Sequence, residues 1–131
     1  MKKLFLLFIS LIFFTGNIQA QSFVCTDLNY YSSDMTSSKV QKERNRWLGA
    51  KAVLTFYDNS MRIQWTDNNG RTESFILSKL NEDEYYSSEK YGNDTMTVRV
   101  KLQKWVAYIK SFTVNSYRNQ TQIGNATFKR K

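Results

Sequence analysis

The sequence predicts a mainly β chain: a small antiparallel up-and-down β-barrel of about eight strands with one short helix after the first strand. Three observations lead there. No proline occurs in the 131 residues. Asn, Asp and Gly cluster between stretches rich in Val, Ile, Thr, Phe, Tyr and Trp. One segment, from Lys51 to Thr66, reads as a hairpin that specifies its own register. β-branched and aromatic side chains suit a pleated, half-buried surface, and Asn, Asp and Gly tolerate the positive φ of tight turns.

The first twenty residues speak to compartment rather than fold. Lys2 and Lys3 precede an apolar run from Leu4 to Phe14 broken only by Ser10, and Thr15 to Ala20 forms a polar region ending in alanine. That is the pattern of a secretory signal peptide cleaved before Gln21, with an apolar run too short to span a bilayer. Ser22-Phe23-Val24 lacks the small residue that precedes a lipid-modified cysteine, so Cys25 is not read as an anchor. The expectation is a soluble exported protein, periplasmic or extracellular, with one domain over residues 21–131 and no stable membrane anchor. Loss of two lysines and no acid takes the net charge from +8 to +6 (17 Lys+Arg against 11 Asp+Glu). Such a surface suits anionic partners in general, but an exported chain seldom meets nucleic acid, and none is expected as a partner. The single cysteine excludes an internal disulfide, so packing must supply the stability of an expected monomer.

Ser22 to Tyr31 reads as the first strand. Ser32 to Arg46 is polar, and a helix from about Thr36 to Leu48 fits the spacing of Val40, Trp47 and Leu48, with Gly49 suited to the position after its last turn. The stretch KVQKERNRW, residues 39–47, is cationic enough to resemble a nucleic-acid arm. Paired Cys/His ligands and a basic region running into heptads are both missing, so it reads instead as a solvated cover. In that reading Trp47 packs on the barrel and Lys39, Lys42, Arg44 and Arg46 stay in water.

In the hairpin, a two-residue turn at Asp58-Asn59 sets Phe56 opposite Met61, Leu54 opposite Ile63 and Ala52 opposite Trp65, an all-apolar face. A three-residue loop at Asn68-Asn69-Gly70 extends that face by placing Phe75 opposite Ile63 and Leu77 opposite Met61. A two-residue turn would put Gln64 beside Phe75, so hydrophobic register selects the longer loop. Glu73 then falls opposite Trp65, near the strand end. Asp83 to Glu89 is a weaker strand. Met96, Val98, Val100 and Leu102 alternate with polar residues, and a turn at Gln103-Lys104 would pair Leu102 with Trp105, Val100 with Ala107 and Val98 with Ile109. The apolar parity changes after Ile109, which predicts a bulge near Lys110-Ser111. A last strand runs from about Thr121 to Lys129. Trp65, Phe56, Phe75 and Trp105 are expected to face inward and fill the barrel.

This strand count and spacing resembles lipocalin-like barrels, and equally the barrel-shaped inhibitors of proteases and lysozymes that bacteria export. The resemblance rests on architecture and carries no motif, so no residue inherits a role from it.

Chemistry is bounded by what the chain lacks. With no histidine, histidine-based acid–base catalysis and the usual zinc sites are excluded. A Gly-rich phosphate loop and a nucleophile elbow are also missing. No metal and no cofactor are expected, and Glu82-Asp83-Glu84 reads as a solvated turn. A pair of carboxylates working as in a glycosidase is the remaining catalytic reading. The expected function is therefore non-catalytic: an interaction module with a protein partner, such as a secreted protease that it inhibits. The alternative is a carrier of a small apolar or aromatic ligand. Candidate contact residues are Tyr85, Tyr86 and Tyr91 around the 90–94 loop, together with Trp47 and Glu73. Tyrosines of this kind supply rigid amphipathic contact area. Asp94-Thr95-Met96 also resembles an acceptor tripeptide of one bacterial protein O-glycosylation system.

Overall fold

Alternation in Lys51–Phe56 (β2) and Ser60–Thr66 (β3) makes one face of that hairpin wholly apolar. In the computed structural model, which describes residues 20–31, 35–106 and 108–131, the two strands pair as their sequence predicts. Ala52 lies opposite Trp65, Leu54 opposite Ile63 and Phe56 opposite Met61. The connection to Thr72–Asn81 (β4) is the predicted three-residue loop. Asp67 N–H donates to the Arg71 carbonyl at 2.9 Å, Gly70 N–H donates to the Asp67 carbonyl at 3.0 Å, and Gly70 sits at φ +84°. Ile63 then faces Phe75 and Met61 faces Leu77.

Ala20–Tyr30 (β1), Glu84–Tyr91 (β5), Asp94–Trp105 (β6), Tyr108–Arg118 (β7) and Thr121–Arg130 (β8) complete the sheet. Each strand pairs antiparallel with the next in sequence, and β8 returns to β1, so the eight strands close into an up-and-down barrel. Closure covers the strand edges except along the stretch of β4 and β5 that does not pair. The signal-peptide reading of residues 1–20 lies outside the described residues except for Ala20. No helix among the described residues is long and apolar enough to cross a membrane.

The β6–β7 turn departs from expectation. It lies not at Gln103-Lys104 but three residues later, between Trp105 and Tyr108, which face each other. Leu102 therefore meets Phe112 and Val100 meets Val114. Lys110 is the extra residue of a bulge, since Gln103 pairs with Ser111 and Lys104 with Ile109. This longer hairpin wins because the bulge restores parity and brings Phe112 and Val114 inside with Ile109, all of them buried. Trp105 consequently does not fill the barrel; it is 62% exposed at the tip.

Inside, Phe23, Leu54, Met61, Ile63, Leu77, Val100 and Phe112 are fully buried. Phe112 stacks on Phe128 at 4.8 Å and meets Phe23 edge-on at 5.0 Å. Such ring pairs add to the area they bury. Cys25 belongs to this core, and burial pushes its thiol up to about 11, which leaves it un-ionised and unreactive at neutral pH.

Ser37–Trp47 (α1) starts at Thr36, whose hydroxyl accepts from Lys39 N–H at 3.3 Å. It ends at Leu48, whose N–H returns to the Arg44 carbonyl at 2.8 Å, followed by Gly49 at φ +85°. No residue of α1 is fully buried, as expected of a cover rather than a core element.

Candidate functional site

The two ends of the barrel differ. One gathers α1, the 68–70 loop and the turns after β5 and β7; the other carries the turns after β2, β4 and β6. The helical end is hollow.

Two adjoining apolar chambers occupy it. The first, of about 250 Å³, is walled by Leu28 and Tyr30 of β1, Ile123 and Ala126 of β8, and Trp47 of α1, with Trp65 at its side. The second, of about 220 Å³, lies between Phe75 and Leu77 of β4, Tyr91 of β5, and Met96 and Val98 of β6, again beside Trp65. Trp65, Val114 and Ser116 line both. Trp65 is the hub of the surrounding rings: Trp47 at 5.7 Å and Phe75 at 5.1 Å meet it edge-on, and Phe128 lies parallel to it at 6.5 Å. Its indole Nε1 is buried and has no hydrogen-bond partner among the described residues. A buried donor left unpaired costs about 1–3 kcal/mol, so its position in the wall of two chambers is chemically significant.

The first chamber is roofed by a polar latch. Glu43 of α1 accepts from the Trp47 indole N–H at 3.1 Å and from the Tyr30 hydroxyl at 3.4 Å. Burial, and then Glu43, pushes Tyr30 up to about 12, so its hydroxyl keeps its proton and donates. Arg46 Nε donates to Asp67 Oδ2 at 2.7 Å, and its guanidinium lies 4.7 Å over the Trp47 ring. Asp67 Oδ1 also accepts from Asn69 N–H and Arg71 N–H, each at 2.9 Å. The Arg46 bond above all holds the Asp67 carboxyl below its usual range. Asn68 completes the latch: its side-chain amide donates to the Asn45 and Leu48 carbonyls at 2.8 and 2.7 Å, and its N–H to the Arg46 carbonyl at 2.8 Å. The β3–β4 loop thus satisfies carbonyls that a helix end otherwise leaves unpaired.

The second chamber borders a seam. β4 and β5 pair only through Ser78↔Tyr86, Lys79↔Tyr85 and Asn81↔Glu84. Among the described residues, 72–77 of β4 pair with β3 alone and 87–91 of β5 with β6 alone. Leu80 is the extra residue of a bulge beside these pairs, and a bulge adds twist that drives the strands apart. Residues 72–76 are all exposed in consequence, as are 88–91. Phe75, expected to be interior, is 44% exposed because it faces the open seam.

The predicted contact residues are distributed over this framework. Trp47 and Tyr91 line the chambers. Tyr91 is exposed, and its hydroxyl donates to Glu89 Oε2 at 2.6 Å. Glu73 is exposed opposite Trp65 on the β4 side of the seam. Tyr85 is buried against Phe56 and is no surface contact, because adjacent strand residues face opposite ways and its neighbour Tyr86 takes the outer wall. Thr95 of the acceptor-like tripeptide is half-buried, its N–H held by the Asn119 side chain at 2.8 Å. The helix cations also divide. Arg46 is not free in water but bound in the latch, and Arg44 is half-buried, its buried Nε without a partner among the described residues. Leu48, expected on the apolar face of α1, is 39% exposed because its backbone is already extended there. A polar hollow between α1 and the loop brings Lys42, Arg46 and Arg71 together with Glu43 and Asp67. With acids so placed among the cations, it is poorly suited to a polyanion. Trp65, the seam and the Asp67-Asn68 latch were not singled out from the sequence as site features. The Asp-Asn-Asn-Gly run signalled a turn, but nothing local reports which helix end that turn will meet.

Comparison of the chain with protein-family models, with curated proteins and with solved structures gives no match in any of the three.

Proposed function

We propose that the protein binds a small apolar or aromatic molecule inside the helical end of its barrel, as a carrier or sequestering protein without catalytic action. The observation that carries this reading is the pair of apolar chambers meeting at Trp65, whose buried indole N–H has no partner among the described residues. An apolar cavity of about 150 Å³ already accommodates a benzene ring, so either chamber takes a one-ring ligand and both together a longer one. A ligand with one hydrogen-bond acceptor would satisfy Trp65 as its apolar body fills the space. The β4–β5 seam, between Phe75 and Tyr91, is the natural entry. The basic, then apolar, leader pattern of residues 1–20 supports an exported location.

Titration with the neutral fluorophore N-phenyl-1-naphthylamine tests the reading. Saturable binding at one site is expected, weakened at least tenfold by Ser116→Leu, which would fill the space shared by the chambers. Binding that survives this substitution would place the dye elsewhere and defeat the proposal. The second reading, an interaction module such as an enzyme inhibitor, rests on the exposed Ile76, Leu80 and Tyr86 on β4 and β5. A protein partner whose capture fails on Ile76→Ser with Tyr86→Ser, yet persists with Ser116→Leu, would favour it.

A further inference from the structure

The end of the barrel away from α1 carries a feature that ligand binding does not use. The β6–β7 turn projects Trp105, Val106 and Tyr108 at 62%, 94% and 40% exposure. Val106 also adopts φ +56°, a left-handed conformation unfavourable for a β-branched residue, and its side chain gains almost nothing from packing in return. Trp105 and Tyr108 meet edge-on at 5.9 Å, and the Arg130 guanidinium lies 5.1 Å over Tyr108. Trp105, Val106 and Tyr108 thus form an exposed aromatic and aliphatic projection with a cation against it.

Charge around it is one-sided. After Asp94, the first residue of β6 at the end far from the tip, the chain contains no acidic side chain, so β7, β8 and the rest of β6 carry cations alone. Lys110 follows the tip on β7; Lys129 and Arg130 end β8 beside it, and Lys131 comes directly after. The nearby acids belong to the β4–β5 turn, where Asp83 pairs with Lys104 at 3.4 Å and Glu82 with Lys79 at 3.3 Å. Those pairs neutralise the β5 side of the tip and leave the β7–β8 side strongly positive.

Tryptophan and tyrosine favour the membrane–water interface, an exposed aliphatic side chain gains by entering the acyl boundary, and flanking cations are drawn to anionic headgroups. We propose that the β6–β7 tip, with the end of β8, docks the barrel reversibly on an anionic lipid bilayer. Charge complementarity selects this occupant: an apolar tip alone fits many partners, whereas this tip is flanked by cations alone on its β7–β8 side and by acids already paired with lysines on its β5 side. Docked in this way, the chambers and the α1 end face away from the membrane.

The closed barrel and the described core lie within residues 20–131, so the chain from Ala20 onward is the unit to test, its fold checked by circular dichroism. It is pelleted with vesicles of phosphatidylcholine alone and of phosphatidylcholine mixed with phosphatidylglycerol. Binding is expected only to the anionic vesicles, falling as salt is raised, with a blue shift of tryptophan emission that Trp105→Phe abolishes. Trp105→Ser with Val106→Ser should weaken binding about tenfold through lost apolar insertion. Neutralising Lys110, Lys129 and Lys131 to Gln should weaken it about a hundredfold, at about fivefold per charge. No pelleting with anionic vesicles would overturn the proposal. So would pelleting indifferent to the Trp105/Val106 change, which would mean diffuse attraction of a basic protein. Equal, tip-dependent binding to soluble polyglutamate would also overturn it and assign the tip to an acidic protein partner.

Discussion

Replacing Trp47 by alanine probes whether α1 is held on the barrel by the contacts described. The indole loses its edge contact with Trp65 at 5.7 Å, its hydrogen bond to Glu43 at 3.1 Å, and the Arg46 guanidinium 4.7 Å above it. The ring pair contributes about 1 kcal/mol, the bond to a carboxylate about 1.5 kcal/mol and the cation–π contact about 0.5 kcal/mol, with lost apolar burial added on top. Those three terms sum to about 3 kcal/mol, and because Trp47 is half-buried the burial term is small, so the total is about 3–4 kcal/mol. At about 4 °C per kcal/mol, the melting temperature should fall by roughly 12–16 °C. Urea unfolding followed by far-ultraviolet circular dichroism measures the free energy directly. Trp47→Phe separates ring from hydrogen bond and should recover about half the loss. Leu48→Ala, at an exposed position of the same helix end, should cost less than about 0.5 kcal/mol and serves as control. A loss below about 1 kcal/mol for Trp47→Ala would refute the latch and leave the first chamber without a roof.

Other expectations follow from the same geometry. Ile63→Asp, at a buried position between Leu54 and Phe75, should cost about 3 kcal/mol or more through an unpaired charge, measured by urea unfolding; a near-neutral result would invert the sheet. Asp67 titrates below its ordinary value of 3.8 because Arg46 binds its ionised form. Its stabilising contribution is thus complete above that value and lost as pH falls through the depressed native pKa. The difference in melting temperature between the wild type and Asp67→Asn should therefore be constant near neutrality and shrink at acid pH; an unchanged difference at pH 2 would be inconsistent. Neutralising Lys42 alone should leave stability unaltered, whereas Arg46→Gln should lower the melting temperature by breaking the latch. Equal effects would mean that both cations merely face solvent.

The sheet was legible where both partners of a pair were apolar and the turn residues were specific. The 51–66 hairpin and the 68–70 loop meet both conditions, and a one-residue slip in either would have turned apolar residues to water. The β6–β7 hairpin misled because Val106 and Ala107 are not turn formers, while alternation from Met96 through Leu102 fits more than one turn position. Only the burial of Phe112 and Val114, which needs the bulge at Lys110, decides between them. For Tyr85 and Tyr86 the information was present, since strand parity sends one in and the other out. The site was less legible for a different reason. The hollow end depends on the twist introduced at Leu80 and on Asn68 reaching the end of α1, and both are long-range results of closing the barrel. Trp65 was readable as an inward residue, but its unpaired indole N–H was not.

The account turns on Trp65, and its indole proton reports on it most directly. In a nitrogen–proton NMR titration with an apolar aromatic ligand bearing one acceptor, such as 2-acetylnaphthalene, the three tryptophans supply three indole signals, assigned by single Trp→Phe substitutions. The Trp65 signal should move downfield and saturate as its N–H gains an acceptor. Trp47, at the roof, should shift less, and Trp105, at the opposite end, should stay in place. A Trp65 signal that does not respond, or a response confined to Trp105, would contradict the assignment of the chambers as the binding site.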